Sequence, residues 1–266
     1  MHTGTSATFI KTTIGDIAVY FSGTHSEKTP LILLHGVYFD HHLWDYQISG
    51  INDRIVVAID MPLHGESREI MKSDWTLNDC AEMLVEILDS LKIQKVIAAG
   101  HSWGSMTILR AASKYPERFE SIGLCNMPFH AATSKQKRMF RMYHSMLYFR
   151  SFYTRQVARS LFGRTSLNEN IHLVSSLMRS MNKLSNSDIK HTDTKVIMDV
   201  DDATSLMHHL SFKALALKGK EDYVPAPPGI QTIIVDGGHV SPLERPESVL
   251  EFLKLLTSLA SVEDNG

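Results

Sequence analysis

Residues 95–104 read Lys95-Val-Ile-Ala-Ala-Gly-His-Ser-Trp-Gly104, and Ser105 to Tyr115 follow with the apolar spacing of a helix. The first five residues form an apolar run of strand length. The next five are a G-x-S-x-G pattern, in which small residues two positions either side of Ser102 let the chain turn sharply from strand into helix. Such a turn strains the backbone of its middle residue and projects the Ser102 hydroxyl at the positive end of the helix. The pattern predicts a nucleophilic serine carried between a buried strand and a helix.

Outward from this turn, the chain alternates short apolar runs with helical patterns, the rhythm of β-α-β units. Leu31–Leu34, Ile55–Ile59, Ser121–Cys125, Ala214–Leu217 and Gln231–Val235 are apolar throughout, as strands of a parallel sheet covered on both faces must be. Thr8–Thr13 and Asp16–Ser22 alternate and are split by Gly15, predicting an N-terminal hairpin. Thr76-Leu-Asn-Asp79 forms a capping box for a helix to Leu91, and Pro246 opens the last helix. The polar tail from Ser261 to Gly266 is expected to fray.

From about Pro128 to Ser211 the strands stop and only helical patterns remain, so residues 128–211 read as a helical insertion between core segments 1–127 and 212–266. Eight of the thirteen methionines (Met127, Met139, Met142, Met146, Met178, Met181, Met198, Met207) lie in it or at its edge. Most are expected to fill its own small core, with a few lining a cavity for an irregular ligand. The insertion carries twelve Lys and Arg against six Asp and Glu, which reads as a solvated helix face.

A serine hydroxyl is a weak nucleophile and needs a base with an orienting acid. Val235-Asp-Gly-Gly-His239 places a histidine just past the last strand, and Leu217-Lys-Gly-Lys-Glu-Asp222 places carboxylates just past the preceding one. Asp222 is the expected acid, with Glu221 directed to solvent and Asp236 stabilising a turn. The oxyanion donors are expected from the backbone N–H of Trp103 and of Val37, which follows His35-Gly36. His35 is expected to tie down its own loop through its ring nitrogens.

Composition removes other classes. A net charge of −2 does not suit a protein that tracks phosphates. Cys80 and Cys125 form neither a metal pair nor a disulfide framework and read as reduced, buried thiols. Fourteen histidines include the neighbours His41-His42 and His208-His209, but neighbouring side chains are expected to diverge, and no metal-ligand spacing occurs. Met1 to Lys11 has no basic stretch before an apolar one, and no run approaches the roughly 18 apolar residues of a spanning helix, so a cytoplasmic protein without a membrane segment is expected.

Together, Leu31-Ile-Leu-Leu-His-Gly36, Asp60-Met-Pro-Leu-His-Gly-Glu-Ser67, Gly100-His-Ser-Trp-Gly104, Gly219-Lys-Glu-Asp-Tyr-Val-Pro225 and Gly238-His239 make the chain resemble the α/β-hydrolase fold superfamily. The resemblance implies a mostly parallel central sheet flanked by helices, with a helical cap inserted after the sixth strand. It implies catalytic Ser102, Asp222 and His239, an oxyanion hole from the N–H groups of Val37 and Trp103, and substrate-binding residues within 128–211. No cofactor and no metal are implied; the expected partner is a small-molecule ester or lactone substrate, with no nucleic-acid and no membrane partner, and the protein is expected to be a monomer or homodimer.

Dehalogenases and epoxide hydrolases of this fold have a similar elbow but carry Asp where this chain has Ser102, and serine favours acyl transfer. The chain also resembles the serine-dependent macrolide esterases, which open macrocyclic lactone antibiotics. Simple carboxylesterases, small-lactone hydrolases and C–C bond hydrolases remain open, as does a ligand receptor without turnover. Two departures stand out. Leu63 occupies a position where the family commonly has Gly, and the proline-rich segment after Asp222 leaves no room for the usual helix, exposing a sheet flank.

Overall fold

The computed structural model describes residues 6–24, 26–208 and 210–260, so the tail from Ser261, the first residues of the chain and His209 lie outside the described residues. β1 (Thr8–Lys11) and β2 (Asp16–Ser22) form the hairpin, pairing Thr8 with Val19 and Lys11 with Asp16. β3 (Leu31–Leu34), α1 (Asp45–Ser49) and β4 (Val56–Ile59) follow, then α2 (Leu77–Ser90), β5 (Val96–His101), α3 (Trp103–Lys114) and β6 (Phe119–Cys125).

The eight strands form one sheet in the order β1-β2-β4-β3-β5-β6-β7-β8, where β7 is Lys213–Gly219 and β8 is Gln231–Val235. β1 and β2 run antiparallel to their neighbours, and all remaining pairs are parallel. β3, β4 and β5 are buried along their whole length, which explains why they read as unbroken apolar runs. α2 packs with α3 and α1 with α11 (Pro246–Ala260), and both pairs lie against the sheet. The expected capping box is present at the start of α2, with Thr76 N–H donating to Asp79 at 2.8 Å.

Between β6 and β7 come α4 (Ser134–Ser145), α5 (Arg150–Leu161), α6 (Arg164–Glu169), α7 (His172–Asn182), α8 (Asn186–Asp193), a π-helical turn (Thr194–Met198) and α9 (Thr204–Met207). Of the eight methionines of this region, Met127, Met181, Met198 and Met207 are buried, whereas Met139 and Met142 are exposed. The chain closes with α10 (Ser241–Glu244) and α11. No helix separates β7 from β8, so edge strand β8 is partly uncovered and Ile234 is 55% exposed.

Cys80 and Cys125 are free and buried, and burial raises both thiols far above their ordinary range. Among the described residues no helix is long and apolar enough to cross a membrane. Leu63 adopts φ 67°, the left-handed region that glycine enters without strain, which is the physical content of its departure from the family pattern.

Candidate active site

β5 delivers Ser102 to the start of α3. Its φ of 50° and ψ of −108° are those of a strained turn. Only glycine fits at the flanking positions: a Cβ on Gly100 would meet the Gly104 carbonyl carbon at 2.3 Å, and one on Gly104 would meet the Leu34 oxygen at 2.3 Å. The turn is thereby pressed between its own helix and β3, and the hydroxyl has one direction in which to point.

His239 follows β8. Its Nε2 lies 3.0 Å from Ser102 Oγ and its Nδ1 lies 2.9 Å from Asp222 Oδ1, so the three side chains that the sequence places 137 and 17 residues apart meet in one line. Asp222 accepts only, which assigns the proton to Nδ1 and leaves Nε2 to accept from the serine. Burial alone would raise the Asp222 carboxyl. The positive potential and hydrogen bond of His239, and the N–H groups of Asn126 and Val224, outweigh it and hold the carboxyl below its ordinary value.

The expected oxyanion donors are the backbone N–H groups of Trp103 and Val37. Trp103 is the first residue of α3, where backbone N–H groups have no partner within the helix. The N–H groups around Val37 are committed, Tyr38 to His64 Nε2 at 3.1 Å and Phe39 to Gly36 O at 3.3 Å, and Val37 lines the same cleft as Ser102. His35 behaves as its sequence setting suggests. Nδ1 donates to Gly36 O at 2.8 Å, Nε2 accepts from Met61 N–H at 2.9 Å, and burial lowers the ring's pKa. Burial likewise drives His101 and His64 down to about 3, so neither neighbouring imidazole competes as a base at neutral pH.

Several supporting residues escaped the sequence. Asn126, in a left-handed conformation after β6, donates through Nδ2 to Asp222 Oδ2 at 2.8 Å and to Gly238 O at 3.2 Å. Glu244 is buried and accepts from Gly238 and Val240, on either side of His239, and from Gly163 in the insertion, at 2.8, 3.0 and 2.8 Å. The Tyr223 ring stacks on His239 with centroids 4.9 Å apart. Only the left-handed habit of Asn was a readable signal, since the other contacts join residues far apart in the chain.

Glu221 is exposed, as expected, and its carboxylate accepts the Arg164 N–H at 2.9 Å, because the start of α6 lies against this loop. Asp236 pairs with Lys220 across the loops after β7 and β8, at 2.7 Å. His41 and His42 do not diverge: their rings lie 4.1 Å apart in a 3₁₀ turn, near Asp40. His41 is sandwiched against Tyr20 at 3.5 Å, and each ring donates to its own carboxylate, Asp60 or Asp45.

The cleft over Ser102 is lined by Val37, Phe39, Met106, Leu161, Val196 and Val200 among others. Its cavity volume is about 100 Å³, and it opens to solvent. None of the eight methionines of the insertion lines it; the methionine that does is Met106 of α3. The reason is geometric, since the segments that face Ser102 are those around Pro128–Gln136 and the π turn, which carry Ala, Val and Ile there.

Residues 29–200 match the family model described as alpha/beta hydrolase fold. A hydrolase of (E)-2-((N-methylformamido)methylene)succinate from Acinetobacter baylyi is 31% identical over 110 residues, 41% of each chain. Human epoxide hydrolase 4 is 31% identical over 111 residues, 41% of this chain and 31% of its own. The chain thus spans well under two thirds of either relative.

Among solved structures, a thermophilic esterase from Thermogutta terrifontis superposes with a TM-score of 0.83 at 20% identity, covering 96% of this chain and 99% of its own. The enol-lactonase from Burkholderia xenovorans gives 0.80 at 16% identity over 94% of this chain and 100% of its own. At this level of identity the superpositions show a shared fold. The chain belongs to the alpha/beta hydrolase fold family.

Proposed function

We propose that this protein is a serine hydrolase that cleaves a carboxylic ester or lactone. The observation that carries the reading is the Ser102–His239–Asp222 line, 3.0 and 2.9 Å, opening onto an apolar cleft. Ser102 Oγ attacks the carbonyl carbon while His239 Nε2 takes its proton, and the oxyanion draws on the Val37 and Trp103 N–H groups. The imidazolium then protonates the departing alcohol, leaving an acyl-enzyme. Water, deprotonated by His239, releases the acid. A serine here, where a carboxylate would open an epoxide, is what favours acyl transfer over the activity named for the human relative.

In this reading residues 128–211 form a cap over core segments 1–127 and 212–266 and supply the specificity. The enclosed part of the cleft is below the roughly 300–1,000 Å³ of drug-sized pockets, so it suits the acyl group beside Ser102. The body of a bulky alcohol, or of a macrocyclic lactone such as a macrolide, belongs in the open mouth. No cofactor enters the scheme. The test is mass-spectrometric turnover of short acyl esters, small lactones and macrolides by the protein and by Ser102→Ala. A gain of one water on a lactone or scission of an ester is expected, with kcat lower by roughly 10⁶-fold in the variant. Undiminished turnover by Ser102→Ala would sink the mechanism, and tight binding without turnover would favour a receptor.

A further inference from the structure

Residues 134–161, covering α4, α5 and the turn between them, contain seven Lys and Arg and no Asp or Glu. Arg150 is spent inside the fold, donating to Asn186 Oδ1 at 2.7 Å and to Leu184 O at 2.8 Å. The other six, Lys135, Lys137, Arg138, Arg141, Arg155 and Arg159, have no carboxylate partner among the described residues. The same segment leaves large apolar side chains in solvent. Tyr148 is 88% exposed, Phe149 68%, Met142 52%, Phe152 50% and Met139 38%, and α4 buries none of its residues.

The two kinds of side chain are interleaved. Lys135, Arg138, Met139 and Met142 follow the three-and-four spacing of one helix face, as do Phe152, Arg155 and Arg159 on α5. Single exposed apolar residues need no explanation, but a cluster of them among unpaired cations marks an interaction surface. Aromatic rings settle at the headgroup level of a bilayer, and cations without carboxylate competitors are drawn to anionic headgroups. The charges alone read as a solvated face; the aromatics exposed between them point to lipid.

We propose that the α4–α5 face docks the protein peripherally on an anionic lipid surface. Gln136 of α4 also lines the cleft, so docking places the cleft mouth beside the lipid. The test is flotation of the full-length protein with vesicles of phosphatidylcholine alone or containing about 30 mol% phosphatidylglycerol. Binding is expected only to the anionic vesicles, and to weaken as salt is raised. Arg138→Gln with Arg141→Gln should lower affinity by about 30-fold, taking about 1 kcal/mol per cation.

Tyr148→Ser with Phe149→Ser should also weaken binding, with the circular dichroism spectrum unchanged because both side chains are exposed. No binding to anionic vesicles, or equal binding to neutral ones, would overturn the proposal. So would sedimentation that shows a dimer dissolved by the Tyr148→Ser, Phe149→Ser variant, which would make this face a contact between copies of the chain.

Discussion

Asp222 and Asp60 show how one residue type serves two ends. Asp222 holds an imidazole through a single short contact and draws its remaining support from Asn126 and Val224. Replacing it by Asn presents an N–H where the imidazole needs an acceptor, so Asp222→Asn should reduce kcat by about 10⁴-fold with little loss of fold, as steady-state kinetics would show. Asp60 is buried and accepts from Tyr20 OH, His41 N–H, His41 Nδ1 and Glu66 N–H, at 3.0, 2.8, 3.0 and 2.9 Å. Burial would raise its carboxyl, but hydrogen bonds from the His41 ring and the Glu66 N–H hold it at about 2 against an ordinary 3.8. The folded pKa is depressed, so the stabilisation is complete above pH 3.8 and is lost as pH falls through about 2. Asp60→Asn should cost about 3 kcal/mol in denaturant unfolding at neutral pH and flatten that acid limb.

At the scale of elements, the loops after β7 and β8 depend on the helical insertion. The His239 N–H donates to Leu161 O at 2.6 Å at the end of α5, and Glu244 of α10 joins Gly163 to both neighbours of His239. Glu244→Ala would strand three buried N–H groups. We expect a stability loss of about 3 kcal/mol in urea unfolding and a fall in kcat/KM of at least about ten-fold, because the imidazole loop loses its anchor. Unaltered kinetics would show that the histidine is positioned by the sheet alone. The elements themselves were legible: Leu31–Leu34, Gln231–Val235, the Thr76 capping box and the missing helix after Asp222 stand where the sequence predicts them. Each is decided by local periodicity or by proline. Glu244 was not legible, because a carboxylate near a helix start carries no mark of which distant N–H groups it will meet.

For the whole molecule, one tie between insertion and core is a buried polar cluster. Tyr38, itself at φ 74° beside Val37, donates to Asp193 Oδ1 at 2.7 Å, while His144 and Tyr153 contact Asp193 Oδ2 at 2.9 and 3.3 Å. Asp193 is fully buried, and burial raises its carboxyl above the ordinary range despite these donors. Tyr38→Phe keeps the ring and removes one donor, so it should cost about 2 kcal/mol in chemical denaturation. It should also reduce kcat more than KM, since Tyr38 follows Val37, whose N–H the proposed mechanism assigns to the oxyanion. Equal kcat in both proteins would separate the cluster from catalysis.

What the sequence determined was the sheet, the order of its strands along the chain and the sharp turn at Ser102, because strand periodicity, glycine spacing and chain order are local and each leaves its own pattern. What only the tertiary structure decided was the surroundings of Ser102, His239 and Asp222: Asn126 beneath Asp222, Glu244 across the histidine loop, Asp193 under Tyr38, and a cleft faced by the π turn rather than by the methionines. Those contacts join residues up to 155 positions apart, as Tyr38 to Asp193 does. A polar side chain announces at its own position only that it needs a partner, and the fold chooses which.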